Sequence, residues 1–264
     1  MKNIKTYLLI IISLLICGGV HAQEQDTIRV RVMTYNLRFG QLASLEELAS
    51  HIKSFKPDFV ALEEVDIHTY RARAAHQNGK NFITELSDAT GMFGIYGKTI
   101  NYEKGYYGIG ILSHFPYIST NKTMLPNPEG NEQRALLEGL FEMDNNDTII
   151  FATTHLDVKS ESSRDVQSRF ITNHFKNAEY PVILGGDFNA EPSTKAIKDI
   201  MKAKWFSATN DDLSFPAWAP SIKIDYLFAL PMNGWKVIRT QTVHSLLSDH
   251  LPVVTELEYI RMKK

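Results

Sequence analysis

The sequence predicts an α/β sandwich: two mixed β-sheets packed on each other, with helices on the outside. Two observations lead there. Short apolar strands recur across residues 28–259, some joined by tight polar turns and others separated by amphipathic helices. That mixture fits neither an all-β fold nor strict strand–helix alternation. In addition, no G-x-G-x-x-G or P-loop follows any strand, which removes support for a doubly wound nucleotide-binding sheet. There is no internal repeat or low-complexity linker, and residues 23–264 are long enough to bury one large core, so they read as a single domain.

The elements follow in order. "IRVRVMTY" (28–35) alternates Ile28, Val30 and Val32 with Arg29 and Arg31, the period of a strand. "SLEELASHIKSF" (44–55) reads as a helix, with Ser44 and Glu47 spaced as a capping box and Leu45, Leu48, Ile52 and Phe55 on one face. Lys56-Pro57-Asp58 then turns the chain into the strand "FVALEEV" (59–65), and a helix over roughly 80–90 ends at Gly91. Strands follow at "YYGIGILS" (106–113), "ALLEGLFEM" (135–143) and "TIIFATTHL" (148–156), the last two joined by the turn sequence "DNND". A helix over about 162–177 precedes the strand "PVILGGD" (181–187), and Ser193 is placed to cap another helix. The closing strands are "IKIDYLFAL" (222–230), "WKVIRTQT" (235–242) and "PVVTELEY" (252–259).

Polar residues gather at the ends of these apolar strands. Asn36 sits just past the first, Glu63 and Glu64 end the second, and His155 ends "FATTH". Asp187 and Asn189 leave "VILGG" two residues apart, so both fall on one face if the strand geometry continues; an Asx turn is the competing reading. Asp225 lies inside an apolar run, and Asp249-His250 precedes the last strand. A carboxylate beside apolar strands is costly unless it is paired or on a metal. Glu63 reads as a solvated neighbour or a supporting group rather than a ligand.

Oxygen donors without cysteine favour Mg²⁺, with Mn²⁺ or Ca²⁺ as variants, over structural zinc. Two histidines among carboxylates can stabilise developing charge on a phosphate or move protons. The set therefore fits metal-assisted hydrolysis of a phosphate ester. Serine acyl chemistry lacks its G-x-S-x-G elbow and zinc peptidase chemistry its H-E-x-x-H.

The ordered series "TYNLR", "LEEV", "YYGIGILS", "TTHLD", "GGDFN", "IDYLF" and "SDHLP" strongly resembles the endonuclease/exonuclease/phosphatase family of metal-dependent phosphohydrolases, over essentially all of residues 28–258. The resemblance implies a four-layer, deoxyribonuclease I-like sandwich with its site in a cleft formed by strand ends. It also implies roles: Glu64 as principal Mg²⁺ ligand with Asn36 and Asp249 beside it, and His155 and His250 on the scissile phosphate. Asp225 would orient His250, Asp187 would orient or activate water, and Asn189 would fix the phosphate or Asp187 itself. Tyr106, in the Gly-Tyr-Tyr-Gly string, and Arg71 become substrate-binding candidates, with Arg73 and Arg134 as further cations near an anionic group; Arg134 could instead pair with Glu132 or Glu138. Phe215 and Trp218, in a Pro-rich loop, could meet a lipid, sugar or base, or simply pack the loop.

The first 22 residues carry Lys2 and Lys5, the apolar run "YLLIIISLLICGGV" and small or apolar residues before Gln23, the pattern of a secretory signal peptide. The apolar core is short for a membrane span, and bulky Ile16 before Cys17 argues against lipoprotein anchoring. Cys17 is the only cysteine, so a cleaved chain has no disulfide. Removing this segment shifts the formal charge from −2 to −4. The sequence thus describes an exported, periplasmic or extracellular monomer without a membrane span, acting on a small or lipid-linked phosphate ester. Nucleic acid is the less favoured substrate because a mildly acidic chain lacks the excess of cations that nonspecific phosphate-backbone binding needs. A nuclease would need a basic groove built from residues such as Arg71, Arg73, Lys98, Lys104 and Lys159. A non-catalytic binding module on the same scaffold is a third reading, disfavoured because no site residue departs from the pattern.

Overall fold

The computed structural model describes residues 27–144 and 147–260; the signal-peptide segment expected at 1–22 lies outside them. Among the described residues, twelve strands form two six-stranded sheets. The first holds β1 (Thr27–Asn36), β2 (Phe59–Ile67), β3 (Phe93–Tyr102), β4 (Gly105–Ser113), β11 (Trp235–Thr242) and β12 (Val253–Ile260), in the spatial order β11-β12-β1-β2-β4-β3. The second holds β5 (Tyr117–Met124), β6 (Ala135–Glu142), β7 (Thr148–His155), β8 (Val182–Asp187), β9 (Phe206–Ser207) and β10 (Asp225–Leu230), in the order β5-β6-β7-β8-β10-β9. Each sheet is mixed: β1–β2 and β7–β8 are parallel pairs, and their other neighbours run antiparallel.

Three apolar clusters define the layers. One lies between the sheets, built from residues such as Val32, Phe59, Ile109, Phe151 and Leu227. Phe59 is its centre, with its ring 4.9 Å from those of both Phe141 and Phe151. A second cluster lies under helices α1 (Leu45–Phe55) and α2 (Phe82–Thr90) on the first sheet, and a third under α3 (Glu161–His174) and α4 (Lys195–Lys202) on the second. The result is the four-layer sandwich, helices–sheet–sheet–helices.

Local chemistry explains the element boundaries. The capping box at Ser44 is formed in both directions, with Glu47 N–H donating to Ser44 Oγ and Ser44 N–H to Glu47 Oε2. Gly91 ends α2 in the left-handed conformation (φ 76°). The cap of α4 is Thr194, one residue later than the Ser193 expected from sequence. Three strands escaped the sequence pattern, among them the two-residue β9. β5 lies at a sheet edge with almost every side chain exposed, so no apolar alternation marks it, and β3 has Gly94 and Gly97 in place of side chains.

One regularity positions the site. Along the strands at the centre of the sandwich, the side chains facing the opposite sheet form rows that run from apolar to small polar to functional. On β1 the row is Ile28, Val30, Val32, Thr34, Asn36; on β7 it is Ile149, Phe151, Thr153, His155. On β8 Ile183 is followed by Gly185 and Asp187, and on β10 Ala229 and Leu227 lead to Asp225. At Gly185 the sheets approach closely: a Cβ there would stand 2.7 Å from that of Ala61. Because side chains alternate with period two, the rows end together at one edge of the sandwich.

Candidate active site

On β2 the row is Phe59, Ala61, Glu63, and it ends in a bulge. The β2–β4 register shifts between Leu62 and Val65, and Glu64 adopts φ 56°. Without that extra residue Glu64 would follow Val60 and Leu62 under the helices; the bulge sends its side chain into the cleft instead. Glu63, read from sequence as solvated or supporting, is wholly buried between the sheets. Its Oε1 accepts from Thr153 Oγ1 (2.9 Å) and at the limit of range from Thr34 (3.5 Å), while Oε2 has no partner. Burial, and then the charges of Asp225 and Asp187, push this carboxyl well above the usual carboxylate range, so it is held neutral.

Asp187 Oδ2 is the focus of the site. The Asn36 amide donates to it at 3.0 Å, with a longer contact of 3.4 Å to Glu64 Oε1. His155 Nε2 lies 3.4 Å and His250 Nε2 3.7 Å from the same oxygen. Its other oxygen, Oδ1, accepts from the backbone N–H of Asn189 (2.8 Å). That bond closes an Asx turn, so Asn189 does not continue the strand: it takes φ 47°, and its amide donates to Leu156 O (3.1 Å). Asn189 still lines the cleft, and what it fixes is Asp187.

Asp225 faces Asp187 across the β8–β10 ladder and holds His250 Nδ1 with both oxygens, at 3.0 and 3.2 Å. Phe215 packs on the His250 ring at 4.7 Å and also lines the cleft, whereas Trp218 is 62% exposed and does not line it. Burial would discharge His250, but the Asp225 and Asp187 carboxylates outweigh it and raise the imidazole to about 10. Burial is also the largest influence on Asp187, which is pushed up to about 7 with Asp225 adding and His250 opposing. A carboxyl balanced between its two forms near neutrality is matched to taking a proton from water. His155 is the opposite case: burial, with the positive charges of Arg134 and His250, holds it well below the usual histidine range and therefore neutral. Its Nδ1 is buried without a partner.

A divalent cation suits the carboxylates on the other side of Asn36. Glu64 is pushed up by burial, and the charge of Asp249, which lines the same cleft, adds to that shift. Two carboxylates repelling each other in a desolvated cleft are relieved by a hard cation. Asp187, Asp225 and His250 also offer ligand atoms within 4.8 Å of one another, but there the imidazole is already engaged by Asp225, and one nitrogen donor makes the trio softer. Asp249 meanwhile pairs with Arg38, which sequence reasoning did not single out although it stands in the "TYNLR" string. Arg38, Phe39 and Gly40 all have left-handed backbone (φ 46°, 43°, 63°), a strained turn that aims Arg38 at Asp249 and places Phe39 in the cleft wall.

The cleft encloses about 590 Å³. The substrate-binding candidates divide. Arg71, Arg73 and Arg134 all line it, but Tyr106 does not: it is 43% exposed, with the Lys98 ammonium 4.4 Å from its ring centre. Of this adjacent pair, Tyr107 lines the cleft, together with Tyr102. Strand parity carried the information, because Tyr107 shares its face with Ile109 and Ile111, whereas Tyr106 points to the other side.

Similarly folded proteins are known. A Bacteroides thetaiotaomicron endonuclease/exonuclease/phosphatase family protein superposes with a TM-score of 0.74 at 17% identity, over 89% of this chain and 100% of that one. A mannosyl-6-phosphatase from Bacteroides thetaiotaomicron VPI-5482 superposes at 0.70 and 18% identity, over 86% and 99%. The human Nocturnin catalytic domain, with bound sulfate, superposes at 0.68 and 19% identity, over 89% and 97%. No curated protein matches the sequence. Residues 33–250 match the Endonuclease/Exonuclease/phosphatase family, and the chain belongs to that family of metal-dependent phosphoester hydrolases.

Proposed function

We propose that this protein is an exported, Mg²⁺-dependent phosphoesterase acting on a small or lipid-linked phosphate ester. The observation that carries the reading is the convergence of Asn36, His155 and His250 on one oxygen of Asp187. With its other oxygen fixed by Asn189 N–H, Asp187 is placed to orient a water and accept its proton. His250, held by Asp225, donates from Nε2 to a phosphoryl oxygen as charge builds there, and neutral His155 contacts the same group. Glu64 and Asp249, with Asn36 beside them, would hold the cation, which when bound supplies Lewis-acid charge on the phosphate.

Substrate size is supported by the cleft, whose volume is in the usual range for small-molecule sites. The basic groove a nuclease would need is only partly present: Arg71, paired with Asp66, and Arg73 line the cleft, but Lys98, Lys104 and Lys159 do not. Among the described residues no helix is long and apolar enough to cross a membrane, and the proposal of export rests on residues 1–22 alone. Because one similarly folded protein is named a mannosyl-6-phosphatase, hexose phosphates belong in the first assay. That assay is hydrolysis of phosphomonoesters, phosphodiesters, sphingomyelin and plasmid DNA with Mg²⁺, Mn²⁺, Ca²⁺ or EDTA. Turnover of one class, abolished by EDTA and lowered about 10²–10⁴-fold in Asp187→Asn and His250→Gln, is the expected result. A folded wild type that turns over nothing with Mg²⁺ or Mn²⁺ would sink the reading.

A further inference from the structure

One part of the cleft lining is made of arginine and aromatic rings. Arg71 is clamped: Nε and Nη2 donate to the two oxygens of Asp66 at 2.6 and 2.9 Å, and the guanidinium carbon lies 4.2 Å from the ring centres of both Phe39 and Tyr102. Its side chain is only 10% exposed, and among the described residues Nη1 has no hydrogen-bond partner. Arg134 is buried more deeply, at 5%. It spends Nη1 on Glu132 (3.0 Å), but its Nε is buried with no acceptor at all. It also lies close enough to Glu64, Tyr107 and His155 for its charge to bear on all three, so it adjoins the reacting centre. Arg73 completes the wall at the open end, 4.9 Å from the Phe39 ring centre, and has no carboxylate partner among the described residues.

A guanidinium withdrawn from water with an unsatisfied donor is costly to maintain. Arg134 is such a group, and it shares one wall with Arg71, which Asp66 pairs, and with Arg73, which is unpaired among the described residues. An anionic ligand would satisfy the open donors of Arg134 and Arg73. Resting on the phosphoesterase reading, we infer that this wall is a second anion subsite, and that the substrate carries, besides the scissile phosphate, a second anionic group, phosphate or carboxylate, on its alcohol portion. Arg134 and Arg71 give the subsite a fixed floor, and Arg73 reads the charge from the open side. Tyr102 and Phe39 form apolar sides against which the connecting part of the substrate lies.

The test uses matched pairs that differ by one anionic group: phenyl phosphate with 3-carboxyphenyl phosphate, glycerol 3-phosphate with 3-phosphoglycerate, and glucose 6-phosphate with glucose 1,6-bisphosphate. In at least one pair kcat/KM should favour the doubly anionic member by roughly ten- to hundredfold, the worth of a charge-assisted contact. In Arg73→Gln, whose exposed side chain makes loss of the fold an unlikely confound, that ratio should fall towards one. Loss of the preference at Arg73 in the phosphoglycerate pair names the carboxylate, and in the bisphosphate pair the phosphate. Turnover without preference in any pair, or a preference that Arg73→Gln leaves intact, overturns the subsite. If no pair is turned over, the wider panel of phosphomonoesters, phosphodiesters, sphingomyelin and DNA decides the phosphoesterase reading, and calorimetry judges the subsite: the doubly anionic member must bind wild type at least about tenfold tighter than its partner, and equal binding overturns it.

Discussion

Glu63→Gln in the metal-free protein tests how the centre of the sandwich is built. The carboxyl is wholly buried, and the neighbouring charges of Asp225 and Asp187 add to burial in holding it neutral. In the folded state glutamine therefore replaces a neutral group of the same shape. Its carbonyl keeps the bond from Thr153, and its nitrogen takes the place of Oε2, which has no partner in either case. The unfolded states differ, because Glu63 ionises there near pH 4.3 while the folded form keeps its proton. Folded protein then binds more protons than unfolded, so stability falls as pH rises above that value, by up to about 1.4 kcal/mol per pH unit from this group alone. Glutamine has no such loss. Asp187, Asp225 and His250 see the same neutral neighbour in both proteins, and their own titrations cancel in the comparison. Between pH 5 and 6.5 the variant should gain about 2 kcal/mol on the wild type, or roughly 4–8 °C in Tm. Melts or urea titrations in EDTA across that range measure it. Parallel stability curves would show that Glu63 is charged in the fold and that the account of the buried row is wrong.

Gly185→Ala should destabilise by about 1–3 kcal/mol, since its Cβ would stand 2.7 Å from that of Ala61 where the sheets touch; adding Ala61→Gly should recover part of the loss in denaturant titrations. Ser44→Ala removes one arm of the capping box and should cost about 1 kcal/mol, read the same way. His51, whose Nε2 is buried without a partner against Tyr35 and Phe55, is lowered by burial, so the folded protein takes up its proton less readily than the unfolded chain. The unfolded chain takes up its proton below about pH 6.5, so wild type loses stability as pH falls through that value. In His51→Gln the acid side of the stability profile should flatten; an unchanged profile would locate acid sensitivity elsewhere.

Much of the site was legible because strand ends concentrate it. Asn36, His155, Asp187 and Asp225 each extend an apolar period-two row, a one-dimensional signal that survives without knowledge of the fold. What the sequence hid was local departure from that period. "LEEV" looks like two equivalent acids, yet the β2 bulge separates a buried neutral Glu63 from a cleft-facing Glu64. "DFN" looks like two groups on one face, yet a left-handed Asn189 turns back to hold Asp187. The choice of Tyr106 over Tyr107 was of another kind, since the parity of Ile109 and Ile111 already pointed to Tyr107. Arg71 had the right location, but no spacing rule shows that Asp66, five residues earlier, would claim two of its donors.

The place of β12 has a consequence in time. It is the last strand described, yet it lies inside its sheet, between β11 and β1, and pairs Ile260 with Thr27. Strand β1, made first, therefore keeps one edge open through synthesis of nearly the whole chain, and closing it joins the most distant segments, a slow event in folding. Asp249 and His250 are delivered by the loop that leads into β12. The site therefore stays without Asp249 and His250 until the chain's last described strand docks between β11 and β1.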